Sequence, residues 1–342
     1  MADPPDKYSP EEMDRILGRA IERSEERAGI DHETIVEAAR EVGVSKEAVE
    51  AAERELKAEK ARRSLRMKWI LGVVAVSAMA ILGTLSLRAR DRRKAEAQAA
   101  AMAAPASCPS DMAAIPGGTY VLGERHDTMT VHPYCLDRSE VTVGDYGACV
   151  NSNKCTAPDA FVTTRGQWKV FCNWQNPDRA SHPINCVDWG QAYSYCAALG
   201  KRLPTEVEWE WAARNGPAAT TYPWGNAPPD ARHLNACGAE CPGNRAAKGF
   251  GPWTSMYPED DGFAETAPVG SFPQGDNQWG VHDLAGNVYE WTMGYEDKTQ
   301  TKRVGRGAGW DERFADAVTA AHRSYARVPT FRSNVLGFRC AR

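Results

Sequence analysis

Four side chains with chemical capability stand in a row near the C-terminus: His322, Arg323, Ser324 and Tyr325. An imidazole exchanges protons near neutrality, a guanidinium holds a carboxylate or phosphate in a planar fork, and hydroxyls donate and accept hydrogen bonds. Two alanines, Ala321 and Ala326, frame the four, and Arg327, Arg332 and Arg339 follow before Cys340. Two readings are open. With Tyr289 and Trp291 as walls, the cluster makes a groove for a peptide or small ligand. Alternatively, Arg323, Arg332 and Arg339 tie C-terminal loops to buried carbonyls and carboxylates. The seven histidines, His32, His126, His132, His182, His233, His282 and His322, contain no His-x3-His spacing. His126 and His132 flank a loop and could meet in space. An iron site would need such a meeting plus a carboxylate.

The surroundings of this cluster are set by the cysteines. All ten lie between Cys108 and Cys340, and none in the first 107 residues. An even number confined to one part of a chain suggests disulfides and an oxidising compartment for that part. The close pair Cys237-x3-Cys241 hints at zinc, but no second close pair accompanies it. Short sequence separation also suggests Cys149–Cys155, Cys172–Cys186 and Cys237–Cys241 as disulfides, although proximity does not fix connectivity.

Residues Trp69–Leu87 explain the asymmetry. These nineteen residues carry no charge and would span about 28 Å as a helix, close to the bilayer core. Basic clusters flank both ends: Arg62, Arg63, Arg66 and Lys68, then Arg88, Arg90, Arg92, Arg93 and Lys94. The largely charged stretch ahead of it does not fit a cleaved signal peptide. The expectation is one transmembrane helix over 67–88. Basic flanks on both sides leave the positive-inside rule undecided, so the cysteines orient it. The N-terminal module, 1–66, is cytoplasmic; an Ala-rich spacer, 89–107, leads to a main domain, 108–342, in the periplasm or extracellular space.

The N-terminal module reads as helical. A capping box at Ser9–Glu12 opens one helix that ends by Gly29, a second covers about Asp31–Val42, and a third starts at Ser45. Ala39, Gly43 and Val49 have helix-turn-helix spacing. DNA binding does not follow, because residues 1–60 hold 17 acidic against 10 basic side chains and would repel phosphates. The net charge of −4 likewise argues against nucleic acid as a partner. A protein-interaction or oligomerisation bundle fits better. In the main domain, helices are expected at Asp188–Leu199, with Ala192, Tyr193, Cys196 and Ala197 on one face, and at Glu206–Ala213 after Thr205. The remainder reads as short strands and long ordered loops, with ten of the eleven tryptophans.

Six blocks then carry a resemblance: "IPGGTYVLG" (115–123), "CLDRSEVTVGDY" (135–146), "HPINCVDWGQAYSYCAALGKRLPTEVEWEWAAR" (182–214), "YPWGN" (222–226), "APVGSFPQGDNQWGVHDLAGNVYEWT" (267–292) and "LGFRC" (336–340). In this order they resemble the formylglycine-generating enzyme, or sulfatase-modifying factor, family over nearly all of 112–342. The resemblance implies an α+β, loop-rich, C-type-lectin-like ectodomain. In the family's oxidases, two thiols of a Cys-His-Arg-Ser-Tyr-Cys motif bind copper(I) and activate dioxygen. Ala321 and Ala326 stand at the thiol positions here, and alanine neither binds a soft metal nor relays electrons. This argues against copper and against the oxidase reaction, and suggests a pseudoenzyme.

The resemblance further implies a Cys196–Cys340 disulfide, worth about 4–5 kcal/mol in the chain-entropy model. It implies calcium at two sets of oxygens: Asn235, Ala236, Asp261 and Phe263, then Asp283, Gly286, Val288 and Glu290. Calcium takes six to eight hard oxygens, which loops with carboxylates and free carbonyls supply. The expected function is a membrane-anchored, non-catalytic domain that binds a ligand or protein outside the membrane. A protein partner for residues 1–60 is also expected on the cytoplasmic side. The alternative is a metal-dependent oxidoreductase or maturation factor of the wider family with non-cysteine ligands.

Overall fold

The computed structural model describes residues 15, 19, 32–41, 43–105, 107–123, 126–158, 166–251, 253–323 and 325–342. The expected first helix, from Ser9 to Gly29, and Ser324 of the cluster lie outside the described residues. Contacts divide the chain into two units, Met1–Lys94 and Ala95–Arg342.

In the first unit, α1 (His32–Glu41) and the start of α2 (Lys46–Met102) are joined by a tight turn. Gly43 takes a left-handed φ of 87°, which glycine adopts without a Cβ penalty. The Val44 amide then returns to the Ala39 carbonyl at 2.9 Å. Ala39 and Val49 are the buried pair at the crossing, and His32 Nδ1 meets Glu53 Oε1 at 2.9 Å. Helix α2 runs unbroken for 57 residues, through the apolar segment and on to Met102. The stretch expected as an Ala-rich spacer is therefore helical over most of its length. Alanine carries the highest helix propensity, and nothing in 89–102 breaks the helix.

The second unit is built from short elements. Helix α3 (Val143–Asn151) is capped by Thr142. Helices α4 (Trp189–Ala198) and α5 (Glu206–Ala213) each begin with a reciprocal capping box, Asp188 with Gln191 and Thr205 with Glu208. The buried face of α4 is Gln191, Ala192, Tyr195 and Cys196. Tyr193 and Ala197, expected on that face, point outward, and Tyr193 stacks on Trp189 at 5.1 Å. Gln191 takes an inward place because its side chain serves the capping box and the Ala157 carbonyl. Helix α6 (Cys241–Ala247) follows a disulfide-closed loop.

Strands β1 (Met112–Ile115) and β4 (Tyr134–Asp137) form one antiparallel pair, and β2 (Gly118–Val121) and β3 (Thr128–Val131) another. Strands β5 (Tyr289–Tyr295), β6 (Arg303–Arg306), β7 (Tyr325–Arg327) and β8 (Leu336–Gly337) form a four-stranded sheet ordered β7-β6-β5-β8. In it, β8 runs parallel to β5. One core gathers Tyr146, Tyr195, Trp291 and Phe338 around Cys196 and Cys340; the other gathers Ile115, Leu136, Trp209 and Trp211. Buried indoles find acceptors: Trp211 Nε1 donates to the Pro116 carbonyl at 2.8 Å and Trp291 Nε1 to that of Val187 at 3.1 Å. Loops between these elements are pinned by five disulfides, Cys108–Cys135, Cys149–Cys155, Cys172–Cys186, Cys196–Cys340 and Cys237–Cys241. Every cysteine is used, so Cys237 and Cys241 are a disulfide and not a zinc pair.

Candidate functional site

The described side chains of the framed cluster meet separate partners. Arg323 is held by the Glu206 carboxylate at the start of α5 and donates to the carbonyls of Tyr295 and Glu296. The fork expected to take a ligand anion therefore takes an internal one. Arg306, fully buried, pairs with Glu210 and donates to the carbonyls of Ala320, Ala321 and His322. Together the two arginines clasp the C-terminal loop to α5. Such a pairing is needed because a guanidinium left buried and unpaired costs several kcal/mol.

The framing alanines have separate surroundings. A Cβ placed on Gly123 would fall 2.4 Å from the Ala321 methyl, so Ala321 packs there. Ala326 sits in β7 opposite Val304 of β6 and is buried. Trp291 is 0% exposed and belongs to the core, so it lines no open wall. Tyr289 and Tyr325 do meet, stacked at 4.1 Å, and the Tyr289 hydroxyl donates to Glu312 at 3.2 Å. Burial pushes the Tyr325 phenol up to about 12, so it remains protonated. Arg332 pairs with Asp188 at 2.7 Å, and Arg339 holds Glu290 in a two-point pair at 2.7 Å each. Of the two readings offered by the sequence, the arginine-tie reading describes these side chains.

A hollow of about 470 Å³ beside α3 and α4 is lined by Asp111, Asp137, Asp145, Tyr195 and Lys201 among others. Lys201 bridges Asp111 and Asp137 at 2.7 Å each across it.

The first expected calcium set fits a hard cation. Asn235 is 0% exposed, and its amide nitrogen donates to the Glu265 carbonyl at 3.0 Å and to Asn287 Oδ1 at 3.2 Å. Those bonds assign the amide orientation and leave Oδ1 buried with no partner. An orphaned buried acceptor costs about 1–3 kcal/mol. Asp261 accepts from the Tyr257 hydroxyl at 2.7 Å and from the Phe263 amide at 2.9 Å. Burial raises its carboxyl above the usual range. Nearby Glu240, which the sequence reading missed, has a second orphaned oxygen, Oε1, and burial lifts its carboxyl to about 7.

The second set is tied to the first. Gly286 takes a φ of 83°, and a Cβ there would lie 2.3 Å from the Asn235 carbonyl, so only glycine lets the loops touch. Its carboxylates are differently placed. Glu290 has both oxygens committed to Arg339, with the Trp209 indole N–H as a further donor. Asp283 accepts from the Gly270 amide at 2.6 Å. Glu140, also missed, lies beside them with both oxygens buried and unpartnered. Burial is the main cause that raises Glu140, Asp283 and Glu290 alike, and Arg339 opposes it. Three carboxylates facing one guanidinium leave an excess of negative charge, which a proton or a hard cation removes. Among the described residues, no three His, Cys, Asp or Glu side chains are grouped to hold a metal ion. Calcium here would draw on amide and backbone oxygens.

A loop-rich α+β domain stapled by disulfides, with buried arginine–carboxylate pairs at its C-terminus, defines the class of protein. The chain belongs to the sulfatase-modifying factor enzyme 1-like domain family, whose pattern matches residues 97–342. It is 31% identical to the Bos taurus protein named inactive C-alpha-formylglycine-generating enzyme 2, across 68% of this chain and 87% of that one. It is 28% identical to the Mus musculus formylglycine-generating enzyme, across 67% and 74%. Among solved structures it is similar to PvdO from Pseudomonas aeruginosa, with a TM-score of 0.51, 25% identity, and coverage of 67% of this chain and 92% of that one.

Proposed function

We propose that this chain is a membrane-anchored, non-catalytic member of its family that binds a ligand or protein partner outside the membrane. One observation carries the non-catalytic reading: all ten cysteines are locked in disulfides, so no thiolate pair is left for copper(I). The similarity to a relative named inactive supports it. The binding surface in this reading is the hollow beside α3 and α4, with Asp145, Tyr195 and Lys201 on its walls, and not the His322–Tyr325 segment. The C-type-lectin-like description of the domain belongs to the same proposal.

Anchoring rests on α2, one helix long and apolar enough to cross a membrane by length and composition. The N-terminal module then faces the cytoplasm and meets a protein partner there. The disulfide-rich domain faces the periplasm or extracellular space. Calcium would be held by Asn235, the Ala236 carbonyl, Asp261 and the Phe263 carbonyl, supplying a fixed charge that orders the surrounding loops. At the second set, Asp283 with the Gly286 and Val288 carbonyls would hold it, and Glu290 would share its charge with Arg339.

Metal analysis of the detergent-solubilised chain tests the reading, together with an assay for oxidation of a cysteine-containing peptide. Calcium without copper or iron, and no peptide oxidation, is expected. Stoichiometric copper or iron with peptide turnover would replace it with the enzymatic alternative.

A further inference from the structure

Asn235 and Glu240 stand at the two ends of one short loop, and each keeps a buried oxygen without a hydrogen-bond partner, Oδ1 and Oε1. The loop is closed on itself by the Cys237–Cys241 disulfide, four residues apart in sequence and 5.1 Å between Cα atoms. Asp261 contacts both ends of this loop. Its amide donates to Glu240 Oε2 at 3.3 Å, and its carboxylate accepts from the Ala236 amide at 3.3 Å. We propose that Glu240 is a direct ligand of the calcium held by Asn235 and Asp261, and that the Cys237–Cys241 disulfide positions it. The inference rests on the calcium reading above and extends the ligand set to a residue outside the one the family resemblance implies.

Three observations support it. Glu240 occupies the N-cap position of α6 yet makes no capping hydrogen bond with its side chain. Its Oε2 accepts from the Asp261 amide at 3.3 Å, which turns the carboxylate toward the Asp261 loop. Gly238 makes that turn possible, because a Cβ at this position would lie 2.7 Å from Glu240 Oε2 and 2.8 Å from the Glu259 carbonyl. Charge is the third. Among the described residues, neither Glu240 nor Asp261 forms an ion pair with a cationic side chain. Two buried-facing carboxylates without a counter-ion match the two charges of calcium, and Asn235 Oδ1 with the Ala236 and Phe263 carbonyls adds hard neutral oxygens.

The disulfide gives the site a redox dependence. Reduction frees the loop between Asn235 and Glu240, and the second carboxylate is no longer held against Asp261. Calcium binding then costs the ordering of that loop as well.

The experiment is calorimetric titration of calcium into the full chain in detergent, stripped with chelator. Wild type, Glu240→Gln, Asp261→Asn and Glu259→Gln are compared, with melting temperature in chelator as the check on folding. Glu240→Gln and Asp261→Asn are each expected to weaken binding by about tenfold or more, while Glu259→Gln leaves it unchanged. The double variant Cys237→Ser/Cys241→Ser is expected to weaken binding in the same direction. Should Glu240→Gln not fold, Glu240→Asp is titrated in its place, with a measurable loss of affinity expected from the shortened carboxylate. Unchanged affinity in the folded Glu240 variant overturns the inference. Absence of saturable binding in wild type overturns the calcium reading beneath it.

Discussion

Arg245 shows how this domain treats single charges. Its guanidinium is 1% exposed and lies 3.3 Å over Trp253, 4.9 Å from Trp168 and 5.3 Å from Phe250. Aromatic faces attract a cation by their quadrupoles, which offsets part of the desolvation. Its counter-ion is Asp311 at 3.9 Å. Burial pushes the Asp311 carboxyl up to about 6; Arg245 pulls it down and Glu312 pushes it further up. The folded state thus holds this proton more tightly than the unfolded chain does. The resulting stabilisation is present below the ordinary carboxylate range and is lost as pH rises through about 6. In Asp311→Asn that decline disappears, so denaturation midpoints measured stepwise across this range fall less than in wild type. Parallel curves for the two chains would show that Asp311 does not titrate in this way.

At the scale of elements, two devices fix helix α4. Asp188 caps it and also receives Arg332, so one carboxylate serves the helix start and the C-terminal loop. Cys196 then bonds to Cys340 across a separation of 144 residues, joining the helix to the end of the chain. In the chain-entropy model, removing this bridge with Cys196→Ala/Cys340→Ala costs about 4–5 kcal/mol, and removing the short Cys149–Cys155 loop costs about 2 kcal/mol. Equilibrium denaturation of both double variants reads the difference. Equal losses would mean that local packing, not loop length, sets the contribution.

For the whole molecule, the dominant surface feature is the apolar stretch of α2. Trp69 is 75% exposed, and Ile70, Leu71, Leu82 and Leu85 are exposed with it. An uncovered apolar patch of this kind marks an interaction with lipid or protein. The chain is expected in the membrane fraction, resistant to alkaline wash and released by detergent, while deletion of 67–88 moves it to the soluble fraction. Recovery of the intact chain from the soluble fraction would sink the anchoring proposal.

Much of this protein is legible in its sequence. Capping residues and periodicity placed α5 at its observed bounds and α4 within a residue at each end, because those signals are local. Six sequence blocks carried the family. The faces of α4 were less legible: Gln191 went inward because its partner beyond the local capping box, the Ala157 carbonyl, is supplied by the fold. The cluster His322–Tyr325 shows the limit most clearly. Its residue types match a catalytic motif, but side-chain type does not say which carboxylate a guanidinium will meet. Glu206 and Glu210 lie more than ninety residues away in sequence, and only folding brings them to Arg323 and Arg306. The orphaned oxygens of Glu140, Asn235 and Glu240 are the same kind of fact. Sequence by itself determined helices α4 and α5, the family and the absence of thiols at the motif, while α3, α6 and the helical course of 89–102 emerged only in the fold. Tertiary structure decided which charges are paired and which wait for a partner, because burial and long-range approach, not residue identity, set that balance.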